Sequence, residues 1–227
     1  MPGTNVTFAA NGREAAGHLA LPDVAIGTAP GVVVVQEWWG LVDHIRRVAD
    51  RFAAAGFVAL APDLYGGKVA ASPDDAQKMM MALDIAAAGK ALRGAARYLL
   101  AHDRVAPKKV AALGFCMGGQ LALYAAAEYP EEIAAAVDFY GVHEKVRIAP
   151  EKFAGRAVQF HLGRRDRGLH AQQAVAKALR GAGAHVDEHL YDAGHAFFND
   201  TRPTAYDEGS AELAWKRTVE FLRQKLI

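Results

Sequence analysis

Two kinds of apolar pattern alternate along the chain. Short runs without a polar face, such as 31–36 (GVVVVQ) and 109–115 (KVAALGF), are typical of strands that are covered on both faces of a sheet. Between such runs, apolar residues recur every three or four positions, as in 41–52, and this spacing predicts helices with one buried face. Strands that alternate with helices indicate an α/β fold with a parallel sheet.

The N-terminal part has a different pattern. Segments 5–10 and 14–21 flank Asn11-Gly12, a dipeptide that favours a two-residue hairpin turn. The sequence therefore predicts an antiparallel hairpin ahead of the parallel strands. No repeat, low-complexity tract or linker interrupts the chain, so we expect one domain over 1–227.

The complete pattern predicts about eight strands. Beyond the hairpin, strands are expected at 31–36, 57–62, 109–115, 134–141, 156–163 and 185–192. Helices are expected at 41–52, 72–84, 89–102, 117–129, 170–183 and 210–226.

Composition narrows the function classes. The 227 residues carry a formal net charge of +1 with scattered basic residues, which argues against a nucleic-acid-binding face or an anionic-membrane patch. No run approaches the roughly 18 apolar residues of a membrane span, no signal-peptide pattern is present, and one cysteine cannot form an intrachain disulfide. We expect a cytoplasmic protein that binds neither nucleic acid nor membrane, and we favour a monomer over an oligomer.

The only cysteine, Cys116, lies between a predicted strand and a predicted helix, within GFCMGG at 114–119. A strand–turn–helix segment with glycines two residues before and two after the central residue is typical of a nucleophile elbow. The helix N-terminus also favours a thiolate and a developing oxyanion, because its N–H groups are free. A packed structural thiol is the alternative interpretation.

An elbow nucleophile requires an acid and then a histidine later in the chain. Asp166 and His195 each follow a predicted parallel strand, so we expect both at the carboxyl edge of the sheet with Cys116. The histidine would take the thiol proton, and the aspartate would orient the ring. Asp138 ends an earlier strand and is an alternative acid, whereas Asp192 is too close to the histidine in the chain to reach around to its ring.

Five short motifs carry a family resemblance: QEWWG (36–40), GFCMGG (114–119), FYG (139–141), GRRD (163–166) and GHAFFN (194–199). Together they resemble the dienelactone hydrolase family of α/β-hydrolases, the carboxymethylenebutenolidases. The resemblance extends over nearly the whole chain, and its most specific feature is the cysteine elbow combined with the Gln36-Glu37 pair. It implies an α/β-hydrolase fold with a mostly parallel sheet and helices on both faces.

The resemblance implies a catalytic triad of Cys116, His195 and Asp166. It also implies a role for Glu37, because in this family that glutamate pairs with the resting thiol until substrate redirects the sulfur toward the histidine. A neutral resting thiol is protected from oxidation and off-target attack.

The resemblance further implies an oxyanion hole formed by the main-chain N–H groups of Trp38 and Met117. Trp39, Tyr140 and Asn199 are expected to line the substrate pocket.

The sequence departs from the family's type member at the carboxylate-binding arginines. Asn199 occupies one of the two positions, and the stretch 64–92, which would hold the other, has no arginine. Asparagine cannot pair bidentately with a carboxylate as a guanidinium does. Arg202 and Lys78 are the candidate replacements.

These residues predict a cofactor-free hydrolase of small carboxylic esters or lactones that acts through an acyl-thioester on Cys116. No metal is expected, because the remaining histidines lack metal-ligand spacing, and no phosphate-binding loop is present. Two alternatives stay open. One is a general small carboxylesterase without dienelactone activity, and the other is a non-catalytic ligand-binding protein of the same fold.

Overall fold

The computed structural model describes residues 3–10 and 12–227, so Asn11 of the predicted hairpin turn lies outside the described residues. The strands are β1 (Thr4–Ala10), β2 (Arg13–Ala20), β3 (Ala29–Val35), β4 (Val58–Pro62), β5 (Val105–Phe115), β6 (Ala135–Phe139), β7 (Ala157–Gly163) and β8 (His185–Tyr191). The helices are α1 (Asp43–Ala54), α2 (Pro73–Ala82), α3 (Ile85–Ala101), α4 (Met117–Glu128), α5 (Leu169–Gly181) and α6 (Glu208–Leu226).

All eight strands join one sheet in the order β1-β2-β4-β3-β5-β6-β7-β8. β2 pairs antiparallel with β1 and with β4, whereas all other neighbours are parallel. The predicted hairpin and the mostly parallel sheet are therefore confirmed. Every residue of β3 is buried, which explains its continuous apolar run.

Helices cover both faces of the sheet. α1 and α6 share one face, where the rings of Phe52 and Trp215 lie 4.5 Å apart. α3 and α4 pack against each other on the other face, where Gly89 leaves room for the ring of Tyr124. In the described part of the chain, no helix combines the length and the apolar character needed to cross a bilayer.

One predicted helix boundary is wrong in the segment between β4 and β5. α2 begins as predicted, with the Ser72 hydroxyl accepting a main-chain hydrogen bond of 3.2 Å at the N-cap. α3 begins earlier than the predicted residue 89, because the Asp84 carboxylate caps it by accepting from the N–H of Ala87 at 3.0 Å. The glycine at 89 is an interior packing position and not a helix start.

The topology places the candidate chemistry at one edge. β3, β5, β6, β7 and β8 run parallel, so the residues that follow them meet at the carboxyl edge of the sheet. Glu37 follows β3, Cys116 follows β5, Asp166 follows β7 and His195 follows β8. Residues that are far apart in the chain are thereby brought into one region.

Candidate active site

Cys116 occupies a sharp turn between β5 and α4. Its backbone has φ 54° and ψ −122°, a left-handed conformation that costs a residue with a side chain about 1–3 kcal/mol. Its N–H donates to the carbonyl of Phe139 at 2.9 Å, and its carbonyl accepts from the N–H of Gly119 at 3.0 Å. This strained and anchored turn has the geometry of a nucleophile elbow.

Glycines allow this turn to close. A side chain at Gly114 would overlap the backbone of Gly118, and a side chain at Gly118 would overlap the carbonyl of Gln36. The N-terminus of α4 therefore approaches the end of β3 more closely than any residue with a Cβ would permit. The first N–H groups of α4 consequently lie beside the loop that follows β3.

Two main-chain N–H groups near Cys116 are free to bind an oxyanion. Met117 is the first residue of α4, where an N–H has no acceptor within the helix. Trp38 lies in the loop after β3, and its N–H has no acceptor among the described residues. The close contact between Gly118 and Gln36 brings their two segments together.

His195 and Asp166 form a hydrogen-bonded pair, with Nδ1 of the ring 2.7 Å from Oδ2 of the carboxylate. Asp166 is 8% exposed. It also accepts from the N–H of Gly168 at 2.8 Å and from the amide of Gln172 at 3.1 Å. Burial raises the pKa of Asp166, but these hydrogen bonds and the charge of His195 more than offset it, so the pKa lies below its ordinary value. The carboxylate is ionised at neutral pH and can orient the ring.

The two loops that carry this pair are joined to each other. A side chain at Gly163, the last residue of β7, would crowd the carbonyls of Ala193 and Gly194. The N–H of Arg165 donates to the carbonyl of Ala193 at 2.9 Å. Asp192 is 81% exposed in its side chain and pairs with the Arg165 guanidinium at 2.8 Å. That pairing removes Asp192 as a partner of the histidine, as its position in the chain predicted.

His195 and Cys116 line the same cavity. Burial lowers the pKa of His195, but the hydrogen bond with Asp166 and the charges of Asp166 and Cys116 more than offset it and raise the pKa to about 10. The ring lies edge-on to Tyr140, with centroids 5.0 Å apart. A ring in this setting readily accepts the proton of a neighbouring thiol, as a general base must.

Asp138, the alternative acid, does not bind the histidine ring. It is fully buried in β6, where its carboxylate lies against Gly119 and Gly141. Burial raises the pKa of Asp138 to about 7, and the charge of His195 acts in the opposite direction. Nδ1 of the ring is bound by Asp166, so Asp138 is a buried acid beneath the elbow.

A cavity of about 200 Å³ opens beside Cys116 and His195. The rings of Trp38 and Trp39 form an apolar wall, packed edge to face with centroids 5.4 Å apart. Arg202 stacks over Trp39, with its guanidinium carbon 5.3 Å from the ring centroid, and supplies a positive charge to the cavity. The remaining lining residues are Glu37, Met80, Val142 and Ala196.

Glu37 is 2% exposed and lies in the wall of the cavity. Its Oε2 accepts a hydrogen bond of 2.6 Å from Nδ2 of Asn199. The oxygen of that amide accepts from the N–H and hydroxyl of Thr201, which holds the amide nitrogen toward Glu37. Burial raises the pKa of Glu37, and the charge of His44 and the Asn199 amide act in the opposite direction.

The structure corrects three expectations for the site. Glu37 bonds to Asn199, and no hydrogen bond between Glu37 and Cys116 is found among the residues described. Cys116 and His195 line the same cavity. Tyr140 is fully buried against the histidine ring, and Asn199 is 1% exposed, so both lie behind the cavity wall and not in it. Trp39 lines the cavity as expected.

Of the two candidate replacement cations, Arg202 lines the cavity, whereas Lys78 is exposed on α2 and does not. Two further contributors were not predicted from the sequence. Met80 of α2 also lines the cavity. Gln172 binds Asp166 from the first turn of α5, although no motif marks it.

Comparison with known proteins shows which family the chain resembles. The pattern of the dienelactone hydrolase family matches residues 15–226. The chain is 36% identical to "Protein usf" of Aquifex pyrophilus over 99% of each chain. It is 32% identical to the carboxymethylenebutenolidase of Pseudomonas sp. (strain P51), over 98% of this chain and 94% of the relative.

A solved structure agrees as well. The "Putative Dienelactone Hydrolase from Klebsiella pneumoniae subsp. pneumoniae MGH 78578" superposes with a TM-score of 0.83 at 29% identity. The match covers 97% of this chain and 98% of that one. In sequence and in fold, the chain belongs to the dienelactone hydrolase family.

Proposed function

We propose that this protein hydrolyses small carboxylic esters or lactones, with Cys116 as nucleophile, His195 as general base and Asp166 as the residue that orients the base. One geometric relationship carries the proposal. An elbow cysteine lines the same cavity as a histidine whose Nδ1 lies 2.7 Å from a buried carboxylate. Nucleophile, base and acid in this arrangement are the parts of an acyl-transfer triad, and membership of a hydrolase family supports the same chemistry.

The first half-reaction acylates Cys116. Because the pKa of His195 is raised to about 10, Nε2 of the ring already holds the proton taken from the Cys116 thiol, and the sulfur forms a bond to the carbonyl carbon. The N–H groups of Met117 and Trp38 stabilise the negative charge on the former carbonyl oxygen. The bond from that carbon to the alkoxy oxygen then breaks, and the alkoxide receives the proton from His195. In a lactone the released alcohol stays attached to the acyl group.

The second half-reaction hydrolyses the thioester. Water gives a proton to His195 while its oxygen attacks the thioester carbon. The carbon–sulfur bond breaks, and the sulfur of Cys116 takes the proton back. Asp166 stays ionised throughout and stabilises the imidazolium that forms in each half. One water is consumed, and one acid and one alcohol are produced.

The cavity supports a compact substrate with a negatively charged end. Trp38 and Trp39 form the apolar wall, and Arg202 is the cation in the lining. A guanidinium can pair bidentately with a carboxylate, which the buried amide of Asn199 cannot do. We therefore include a free carboxylate near Arg202 in the proposed substrate class.

The test is turnover of small aryl esters and enol-lactones, with and without a free carboxylate, by Cys116→Ala and His195→Ala. Each variant is expected to lose at least about 1,000-fold in kcat/KM. Asp192→Asn is the matched control, because it removes an exposed carboxylate near the histidine in the chain without touching the cavity. The control is expected to keep the activity of the wild type.

Unchanged turnover in both active-site variants would overturn the proposal. The competing function is a ligand-binding protein of the same fold. It would be favoured if the wild type hydrolysed no member of the panel, bound one of them tightly, and left Cys116 unlabelled by an electrophilic probe.

A further inference from the structure

A second opening lies beside the candidate active site, along the loop that follows β7. This cleft has a volume of about 480 Å³ and is lined by Val142, Arg165, Asp166, Arg167, Gly168 and His195. Val142 and His195 also line the cavity that holds Cys116. The cleft and the cavity therefore meet at the histidine, and one substrate can occupy both.

Two arginines give the cleft a positive charge. Arg165 and Arg167 flank Asp166 in the loop after β7, and both are exposed. The Arg165 guanidinium is already engaged, since it donates to a carboxylate oxygen of Asp192 at 2.8 Å and to the carbonyl of Asp192 at 2.9 Å. Arg167 pairs with no carboxylate within residues 3–10 and 12–227. Arg167 is therefore the cation of the cleft that is available to bind an anion.

The carboxylate in the lining does not cancel this charge. Asp166 is buried. Its oxygens are bound by the ring of His195, the N–H of Gly168 and the amide of Gln172. Its negative charge is thus directed to the histidine and to the first turn of α5, and the exposed guanidinium of Arg167 faces solvent without a partner acid.

The chemistry of ester cleavage assigns the two openings to different parts of a substrate. The acyl group stays bonded to the sulfur of Cys116, so it must lie in the cavity with Trp38 and Trp39. The alkoxy oxygen receives its proton from His195, so it leaves beside that ring. The group attached to this oxygen can extend past Val142 into the cleft, which Cys116 does not line.

We propose that the cleft beside His195 binds the alcohol part of the substrate, and that Arg167 selects alcohols that carry a carboxylate. The inference rests on the proposed function and extends it, because Arg202 lines the cavity of the acyl part whereas Arg167 lines the cleft of the alcohol part. A guanidinium offers paired N–H donors that match the two oxygens of a carboxylate. Arg167 is thus a specificity-determining residue and not a catalytic one.

The kinetic test compares two acetate esters that differ only in the alcohol part. Phenyl acetate has a neutral alcohol part, whereas 3-carboxyphenyl acetate carries a carboxylate on it. Arg167→Gln is expected to lower the ratio of kcat/KM for the charged ester to kcat/KM for the neutral ester about 3- to 5-fold, which is typical of an ion pair exposed to solvent. Arg167→Glu is expected to lower this ratio further, because it replaces attraction by repulsion.

Arg164→Gln is the matched control. Arg164 is an exposed arginine of the same loop but does not line the cleft, so loss of its charge is expected to leave the ratio unchanged. Monophenyl adipate, which carries its carboxylate on the acyl part, is the matched substrate. Its kcat/KM relative to phenyl acetate should not respond to Arg167→Gln. A ratio that neither Arg167→Gln nor Arg167→Glu moves would overturn the inference, as would equal falls in Arg164→Gln and Arg167→Gln.

Binding of the alcohol product gives a second readout that needs no turnover. 3-Hydroxybenzoate is titrated into the full-length protein and followed by NMR through the backbone amide signal of Gly168, which lines the cleft. Its Kd is expected to rise about 3- to 5-fold in Arg167→Gln, whereas the Kd of phenol should stay the same. A Gly168 signal that 3-hydroxybenzoate does not shift would contradict binding in the cleft. A wild type that binds 3-hydroxybenzoate there but hydrolyses neither ester contradicts the proposed function and still supports an anion-binding cleft.

Discussion

Asn199 donates a hydrogen bond of 2.6 Å to Glu37, and both side chains are almost fully buried. The contact joins the segment after β8, which carries His195, to the loop after β3, which carries Trp38. Two walls of the cavity are therefore held together by one amide–carboxylate bond. Its strength depends on the charge of Glu37, because hydrogen bonds to ionised acceptors are stronger than those to neutral ones.

Replacing the amide tests this relationship through the pH dependence of stability. Burial raises the pKa of Glu37, so the neutral carboxyl group contributes fully to the free energy of unfolding below the unfolded-state pKa. That contribution is lost as pH rises through the folded-state pKa. Asn199→Leu removes a group that lowers this pKa. The destabilisation is therefore expected to grow from pH 5 to pH 8, reaching about 2 kcal/mol in urea unfolding.

The matched control for that variant is Thr201→Val. The Thr201 hydroxyl donates to the oxygen of the Asn199 amide and does not touch Glu37. Loss of this hydroxyl is expected to lower the free energy of unfolding by the same amount at pH 5 and pH 8. An Asn199→Leu difference that was equal at pH 5 and pH 8 would show that the amide does not act on the charge of Glu37.

Asp166→Asn tests the origin of the high histidine pKa. The wild-type His195 ring is expected to stay protonated through pH 8, because its pKa is about 10. The variant loses the charge and weakens the hydrogen bond that raise this pKa, which should fall toward the ordinary value of about 6.5. NMR titration of labelled histidine measures the pKa of His195 in the wild type and in Asp166→Asn, and His195→Gln assigns the signal. A wild-type ring that titrated near 6.5 would contradict the ion-paired geometry.

Gly118→Ala tests the approach of α4 to β3. Its Cβ would overlap the carbonyl of Gln36, so the helix must shift, at a cost of about 1–3 kcal/mol in unfolding free energy. The shift also separates the two oxyanion donors, so kcat is expected to fall more than KM rises. Gly181→Ala, at the end of α5 with no atom near the added Cβ, is expected to be neutral or stabilising. Equal effects of the two substitutions would refute this explanation.

Arg202→Gln tests the proposed substrate class. Losing the cation of the cavity lining is expected to raise KM about 10-fold or more for esters that carry a free carboxylate. Esters without a carboxylate should change little. Lys78→Gln serves as the control, because Lys78 is exposed outside the cavity. An equal rise in KM for both classes of ester would show that Arg202 supports Trp39 and does not bind the substrate carboxylate.

The sheet and the position of each candidate residue along it were predictable from local pattern. Apolar runs marked the parallel strands, and the positions after those strands placed Cys116, Asp166 and His195 at one edge. The need for a glycine at position 118 was also predictable, since an elbow requires a residue without a Cβ there. These predictions succeed because strand direction alone determines where a strand end lies.

Side-chain directions within the segment after β8 were not predictable. Asn199 and Arg202 are close in the chain, yet one is buried against Glu37 and the other lines the cavity. No periodicity governs an irregular segment, so tertiary packing decides its orientation. The partner of His44 was not predictable either, because its contact with Asp200 spans 156 positions and leaves no local signal.

If Cys116 carries the acyl group, enzyme quenched during turnover of an aryl acetate should hold one acetyl group. Peptide mass spectrometry after digestion is expected to locate it on the peptide that contains Cys116, formed and lost at rates compatible with kcat and absent from Cys116→Ala. Turnover that continues in Cys116→Ala, or an acetyl group located on another residue, would contradict it.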